Sequence, residues 1–164
     1  MKTVKKRRHQ GRTDYGKRMK LLKGGVPRLV FRRSNRYAIV QYVESAAAQD
    51  KIIKGTTSKE LLKFGWPKEK SGSLASAPAM YLTGFLFGKK ILKEKMKTPI
   101  VDAGMLRILS GSNFFAILKG LVDSGLEIEC KKEVFPTEDR ISGKHLKEDF
   151  SKTFSEIKLK IEKT

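Results

Sequence analysis

The chain has 164 residues, 39% of them hydrophobic, which is enough for one domain with a core and too many for a disordered polymer. A single cysteine, Cys130, excludes an intramolecular disulfide framework and a multi-cysteine zinc site, and it fits a reducing cytoplasm. The net charge is +19, and residues 1–36 alone hold 14 Lys and Arg against one acid, a net of +13, so the expected partner is a dense line of phosphates.

Residues 1–12, MKTVKKRRHQGR, show no apolar periodicity and are expected to be disordered without a partner. No apolar run of about 7–15 residues follows them, so they do not read as a secretory signal. Thr13 is placed to N-cap a short helix, with Asp14 in its first turn. Tyr15, Met19 and Leu22 form its apolar stripe, Lys17, Lys20 and Lys23 occupy other faces, and Gly24-Gly25 with Pro27 ends it.

Strand chemistry follows. RLVFRR (28–33) and YAIVQYVE (37–44) flank a hairpin turn at Ser34-Asn35-Arg36, and KIIKGTT (51–57) reads as a third strand after the loop SAAAQD. Thr57 and Glu60 form a capping-box pattern for a short helix that Gly65 and Pro67 stop. Residues 66–73 read as a polar loop. A long core helix is expected from about Ala77-Pro78, apolar on much of its circumference, with lysines gathered at its C-terminal end. Ser71–Gly88 is 18 residues without a charge, but its first part is polar, so it reads as a buried helix and not as a bilayer span of about 20 residues.

PIVDA (99–103) looks like a buried strand. Ser112 is placed to cap a second core helix through Phe115, Leu118, Leu121 and Val122, followed by an extended piece at Leu126–Glu129. Leu146, Phe150, Phe154, Ile157 and Ile161 recur at helical spacing, an amphipathic helix that must dock on this chain or a neighbour. The expected fold is α/β in the α+β sense. A mixed sheet with an antiparallel three-strand meander packs against helices in the order βββ-α-α-β-α, with a basic arm before it and a helix after it. The divisions are 1–25 for the arm and its helix, 26–130 for the core domain and 131–164 for the extension.

Catalytic chemistry is not indicated. GFLFGKK (84–90) fails as a phosphate loop, because its glycines are four apart, no Ser or Thr follows the lysines and it lies inside a helix. His9 and His145 are far apart and read as surface residues. Glu44, Asp50 and Asp102 sit near strand ends, but two-metal chemistry needs several carboxylates on one site and these stand isolated in the sequence. No G-x-S-x-G elbow occurs. No cofactor, metal, membrane or small-molecule substrate is expected.

What remains is binding chemistry. Arg28, Arg32, Arg33 and Arg36 cluster around one hairpin with Tyr37 and Tyr42 nearby. Alternation puts Arg28 and Arg32 on one face and Arg33 on the other with Leu29 and Phe31. One face could then meet a nucleic-acid backbone while the other joins the core. Guanidinium forks grip phosphate bidentately and stack on bases, which favours structured RNA. Tyr15 suits either a base stack or the stripe of its own helix. A general nucleic-acid compaction or chaperone protein would carry the same charge, and it differs only in lacking preference for one RNA.

GRTDYGKRMKLLKGGVPRLVFRRSNRYAIVQ (11–41), TSKELLKFGWPKEKSGSLASAPAMYLTGFLFGKK (57–90), IVDAGMLRILSGSNFFAILKGLVDSGLEI (100–128) and FPTEDRISGKHL (135–146) resemble, in consistent order, one family of large-subunit ribosomal proteins. It is the universal 5S-rRNA-binding family, number eighteen in the large-subunit series, in its archaeal and eukaryotic form. The resemblance implies an α/β structural protein of the central protuberance that holds 5S rRNA against the large-subunit rRNA beside neighbouring ribosomal proteins, in the cytoplasm. It implies an RNA-threading arm, which by position falls on Arg7, Arg8, Arg12, Tyr15 and Arg18 with Lys20 and Lys23, and hairpin contacts at Arg28, Arg32, Arg33, Ser34, Asn35 and Arg36. Two departures stand out. The loop before the second core helix, basic in the family, reads Ser110-Gly111-Ser112-Asn113 with only Arg107 ahead of it, and the C-terminal extension is shorter than in eukaryotic members, which favours the archaeal type.

Overall fold

The structure, a computed structural model, describes residues 5–47, 49–146 and 150–163. Strand β1 (Arg28–Arg33) pairs antiparallel with β2 (Ala38–Ala46), and β2 pairs antiparallel with β3 (Gln49–Thr57). Strand β4 (Ile100–Asp102) adds parallel to β1, giving the order β3-β2-β1-β4. The sheet is therefore mixed, and the expected meander makes up three of its strands. Strands β2 and β3 run further than the sequence suggests, to Ala46 and from Gln49, so most of SAAAQD is strand, and Ala47 turns the chain at φ 48°. β4 is an edge strand whose three residues are exposed or half-buried, and of the expected buried stretch 99–103 only Pro99 and Ala103 are buried.

One face of the sheet carries Leu29, Phe31, Ala38, Val40 and Tyr42 into a core with two helices, α3 (Ala77–Lys93) and α4 (Asn113–Asp123). Pro78 sits in the first turn of α3, where its missing N–H costs nothing. Every residue from Ala77 to Gly88 is buried, because the helix is covered on two sides. Met80, Phe87 and Ile91 face the sheet-side core. Tyr81, Leu82, Phe85 and Leu86 face a second core with Leu61, Trp66, Ile141, Phe150, Phe154, Ile157 and Ile161.

The glycines of GFLFGKK have a packing role. A methyl on Gly84 would fall against the Ile117 carbonyl, and one on Gly120 of α4 against the Tyr81 carbonyl, so these residues let the two helix backbones approach closely. Ser112 does precede α4, but its buried hydroxyl makes no hydrogen bond and caps nothing. Thr57–Glu60 does form the capping box, with the Glu60 carboxylate accepting from the Thr57 N–H at 3.2 Å, though the helix it opens, Ser58–Phe64, is 3-10. Residues 68–73 also form 3-10 turns, and Leu126–Glu129 forms no strand.

The C-terminal stripe docks on this chain. Helix α6 (Ser151–Glu162) buries Phe154, Ile157 and Ile161 in the second core, and Phe150 just before it packs on Trp66 with ring centroids 4.8 Å apart. Leu146 lies outside the helix and is exposed, while residues 147–149 of the expected helix are outside the described residues. Ahead of them a five-residue helix, α5 (Glu138–Ser142), contributes Ile141. No helix among the described residues is long and apolar enough to cross a membrane.

Candidate nucleic-acid interface

The face of the sheet opposite α3 and α4 meets the N-terminal segment. Residues 5–12, expected to lack order, carry one helical turn, α1 (Lys6–His9), that buries nothing. It is closed by local bonds, such as the Arg12 N–H to the Arg7 carbonyl at 2.9 Å. Helix α2 (Tyr15–Lys23) follows. Its N-cap is Asp14, one residue later than the sequence suggests, and the Asp14 carboxylate accepts from the N–H groups of Gly16 (2.9 Å) and Lys17 (3.1 Å). Thr13 instead accepts from Arg7 Nε at 3.0 Å. No residue of α2 is buried, and Met19 of the expected stripe is 55% exposed. The Lys5 ammonium lies 4.6 Å from the centre of the half-buried Tyr15 ring.

Between this segment and the sheet lies a groove of about 820 Å³. Arg7, Arg12, Lys17, Arg18, Arg32 and Arg33 line it, together with Asp14, Asp50 and Asp102. All three carboxylates are occupied from within. Asp14 caps α2. Asp50 accepts from Arg18 (2.8 Å), Arg28 (2.7 Å) and Ser45 (2.7 Å). Asp102 accepts from Arg28 (3.0 Å) and from the Gly104 N–H (2.9 Å). Burial alone would raise the Asp50 carboxyl, but its hydrogen bonds from Ser45, Arg18 and Arg28 and the charge of Arg28 hold it below the usual carboxylate value. The groove thus presents guanidinium and ammonium groups beside acids that are already hydrogen-bonded within the protein.

Arg28 departs from the expected open strand face. It is 2% exposed, with its guanidinium fixed between Asp50, Asp102 and Ser45, so it does not stand on an open face beside Arg32. Asp50 and Asp102, isolated in the sequence, do converge, and a guanidinium occupies the place between them. Among the described residues no three His, Cys, Asp or Glu side chains gather as metal ligands.

Arg32, Arg33, Ser34, Asn35 and Arg36 are all exposed, but only Arg32 and Arg33 reach the groove. Ser34 shapes the turn: its hydroxyl donates to the Tyr37 carbonyl (2.8 Å) and accepts from the Tyr37 N–H (3.0 Å). Asn35 and Arg36 project from the tip that results. Arg8, Lys20 and Lys23 are exposed outside the groove. Of the two nearby tyrosines, Tyr42 belongs to the core, where its hydroxyl donates to the Lys97 carbonyl at 3.0 Å and burial pushes its pKa up. Tyr37 is half-buried under the Lys59 ammonium.

Sequence reasoning misses Lys17 and the turn Gly104–Leu106 as site residues, yet both line the groove, and the Lys17 ammonium donates to the Gly104 carbonyl at 3.4 Å. Helical spacing shows Lys17 on the same helix as Arg18, but the turn after β4 gives no signal, because its approach depends on parallel pairing with β1. The loop before α4 turns its polar groups inward: Asn113 donates to the Ala75 carbonyl (2.7 Å) and the Gly111 N–H to that of Val134 (2.9 Å).

Comparison with known proteins gives a consistent result. Residues 1–99 match the family model described as ribosomal large subunit proteins 60S L5, and 50S L18. The chain is 44% identical over 141 residues to the large ribosomal subunit protein uL18 of Methanoregula boonei, covering 86% of this chain and 79% of that one. It is 42% identical over 142 residues to the uL18 of Caldivirga maquilingensis, covering 86% and 67%. With the uL18 of Methanococcoides burtonii it shares 39% identity over 165 residues, covering 98% and 93%.

Proposed function

Because this chain belongs to the uL18 family of large-subunit ribosomal proteins, we propose that its basic groove and hairpin bind 5S rRNA and hold it against the large-subunit rRNA. Family membership makes it a structural constituent of the large ribosomal subunit, a cytoplasmic ribonucleoprotein, and not an enzyme. Ribosomal RNA and neighbouring ribosomal proteins are its partners.

One observation supports this reading most directly. The arm, α2 and β1 bring Arg7, Arg12, Lys17, Arg18, Arg32 and Arg33 around one groove whose three carboxylates are internally bound. Each phosphate neutralised there releases condensed counterions, and guanidinium forks fix its orientation. Arg8, Lys20, Lys23, Asn35 and Arg36, exposed outside the groove, extend the contact beyond it. The α/β body is the platform from which the hairpin tip projects.

Binding of the purified chain to 5S rRNA at near-physiological salt, with excess unrelated tRNA as competitor, tests this. Retention of 5S rRNA supports the reading. Equal displacement by tRNA overturns it in favour of general RNA compaction. Replacing Arg32 and Arg33 with Ala is expected to weaken binding by about 1–3 kcal/mol for each charge-assisted hydrogen bond to phosphate that these side chains make. Unchanged affinity would remove the strand from the interface.

A further inference from the structure

Helix α2 is only lightly anchored by apolar contact, with Tyr15, Leu21 and Leu22 half-buried and Met19 exposed. It buries no side chain, and Gly24 with Gly25 (φ 61°) joins it to β1, so chain connectivity alone does not fix its direction. Two polar ties hold it to the sheet. Arg18 Nη2 reaches Asp50 Oδ2 at 2.8 Å, and Lys17 Nζ reaches the Gly104 carbonyl at 3.4 Å. Both lead back to one group. Asp50 is gripped by Arg28 Nη2 at 2.7 Å, and Gly104 is held by Asp102, whose other oxygen takes Arg28 Nη1 at 3.0 Å. The chain Arg18–Asp50–Arg28–Asp102–Gly104–Lys17 closes on α2 at both ends. Its hub is a guanidinium that is almost wholly buried, a place where a charge persists only when paired.

From this ring we infer that Asp50, held by the buried Arg28, is a positioning residue that sets α2 on the sheet so that its cations meet the RNA backbone. The inference rests on the RNA-binding reading above and deepens it. It also inverts the usual sign. An acid in an RNA-binding groove should oppose binding, and its removal should tighten the complex by simple charge arithmetic. An acid that orients the helix does the opposite.

The test is Asp50→Asn in the full chain, titrated with 5S rRNA over a salt series. Positioning predicts affinity weakened by about tenfold, with a log–log salt slope shallower by roughly 0.7–0.9 for each phosphate that α2 no longer neutralises. Asp50→Glu, which restores the carboxylate, should recover much of both. Affinity that rises or stays the same in Asp50→Asn overturns the inference. A second readout needs no RNA. Spin labels on Met19→Cys and Lys59→Cys in a Cys130→Ser background report the placement of α2, and the distance distribution should broaden in Asp50→Asn. An unchanged distribution overturns the inference even if wild-type binding to 5S rRNA holds. If the wild type shows no preference for 5S rRNA, the functional reading fails, and the label distances still decide the role of Asp50. Should Asp50→Asn fail to fold, Arg18→Gln breaks the same tie while leaving the buried Arg28 pairs intact, and the distances are read there.

Discussion

Helices α2 and α6 have similar sequence character and opposite fates. Each is amphipathic, each is lysine-rich, and each lies outside the central α/β unit. Helix α6 sinks Phe154, Ile157 and Ile161 into a core shared with α3, whereas α2 leaves Met19 more than half exposed and touches the sheet through Arg18 and Lys17. The difference lies in what each helix finds opposite it. α3 offers α6 an apolar second face with Tyr81, Leu82, Phe85 and Leu86. The sheet offers α2 a carboxylate and a carbonyl. One helix is held by hydrophobic burial, which salt does not screen, and the other, with its apolar side chains at most half-buried, chiefly by charge, which RNA phosphates can compete with or complete.

The largest effect that sharpens this contrast is at α6. Phe154→Ala removes a ring that packs on Tyr81 at 5.5 Å between centroids and should cost about 3–5 kcal/mol in denaturant unfolding. A loss below about 1 kcal/mol would mean that α6 is as loosely attached as α2. Next is Gly84→Ala, where the added methyl meets the backbone of α4 instead of a side chain able to move. Overpacking of this kind should cost about 1–3 kcal/mol by the same measurement. Met19→Ser on α2 should stay within about 0.5 kcal/mol, because the side chain is already more than half exposed. A larger loss would show that α2 has an apolar seat after all.

Much of the fold was legible. The meander, the capping box, the long apolar helix and the C-terminal stripe follow from periodicity and turn chemistry. The seat of α6 was not, since a stripe declares that it must dock and says nothing of where. A usable sign was the full-circumference burial demanded by α3, which one sheet could not satisfy. At the site, alternation correctly put Arg28 on the face opposite Leu29, but its fate depended on counter-charges from elsewhere. Asp50 reaches it because β2 and β3 pair Ser45 with Asp50, and Asp102 reaches it through the parallel pairing of Val30 with Asp102. Parallel partners leave no local mark in a sequence, so the same arginine that reads as an RNA contact proves to be the hub of an internal network.

The smallest effect separates the two helices by pH alone. Asp50 faces Arg18 from α2, Arg28 from β1 and Ser45 from β2, with Asp102 on the far side of Arg28. Burial pushes its carboxyl up, and the hydrogen bonds with those groups outweigh it and bring the pKa below the ordinary value. A carboxyl lowered in the folded state adds stability that is fully present above its unfolded pKa of about 4 and is lost as pH falls through the folded pKa. Between pH 7 and 5 the tie should therefore be unchanged, and below about pH 4 α2 should loosen. The apolar anchors of α6 do not titrate. Trp66, buried against Phe150, reports on that seam by fluorescence, while the Met19–Lys59 label pair reports on α2. At constant ionic strength the label distances should broaden on acidification before the tryptophan emission shifts. Coincident changes would place both helices in one cooperative unit and remove the distinction between a charge-held arm and a core-held extension.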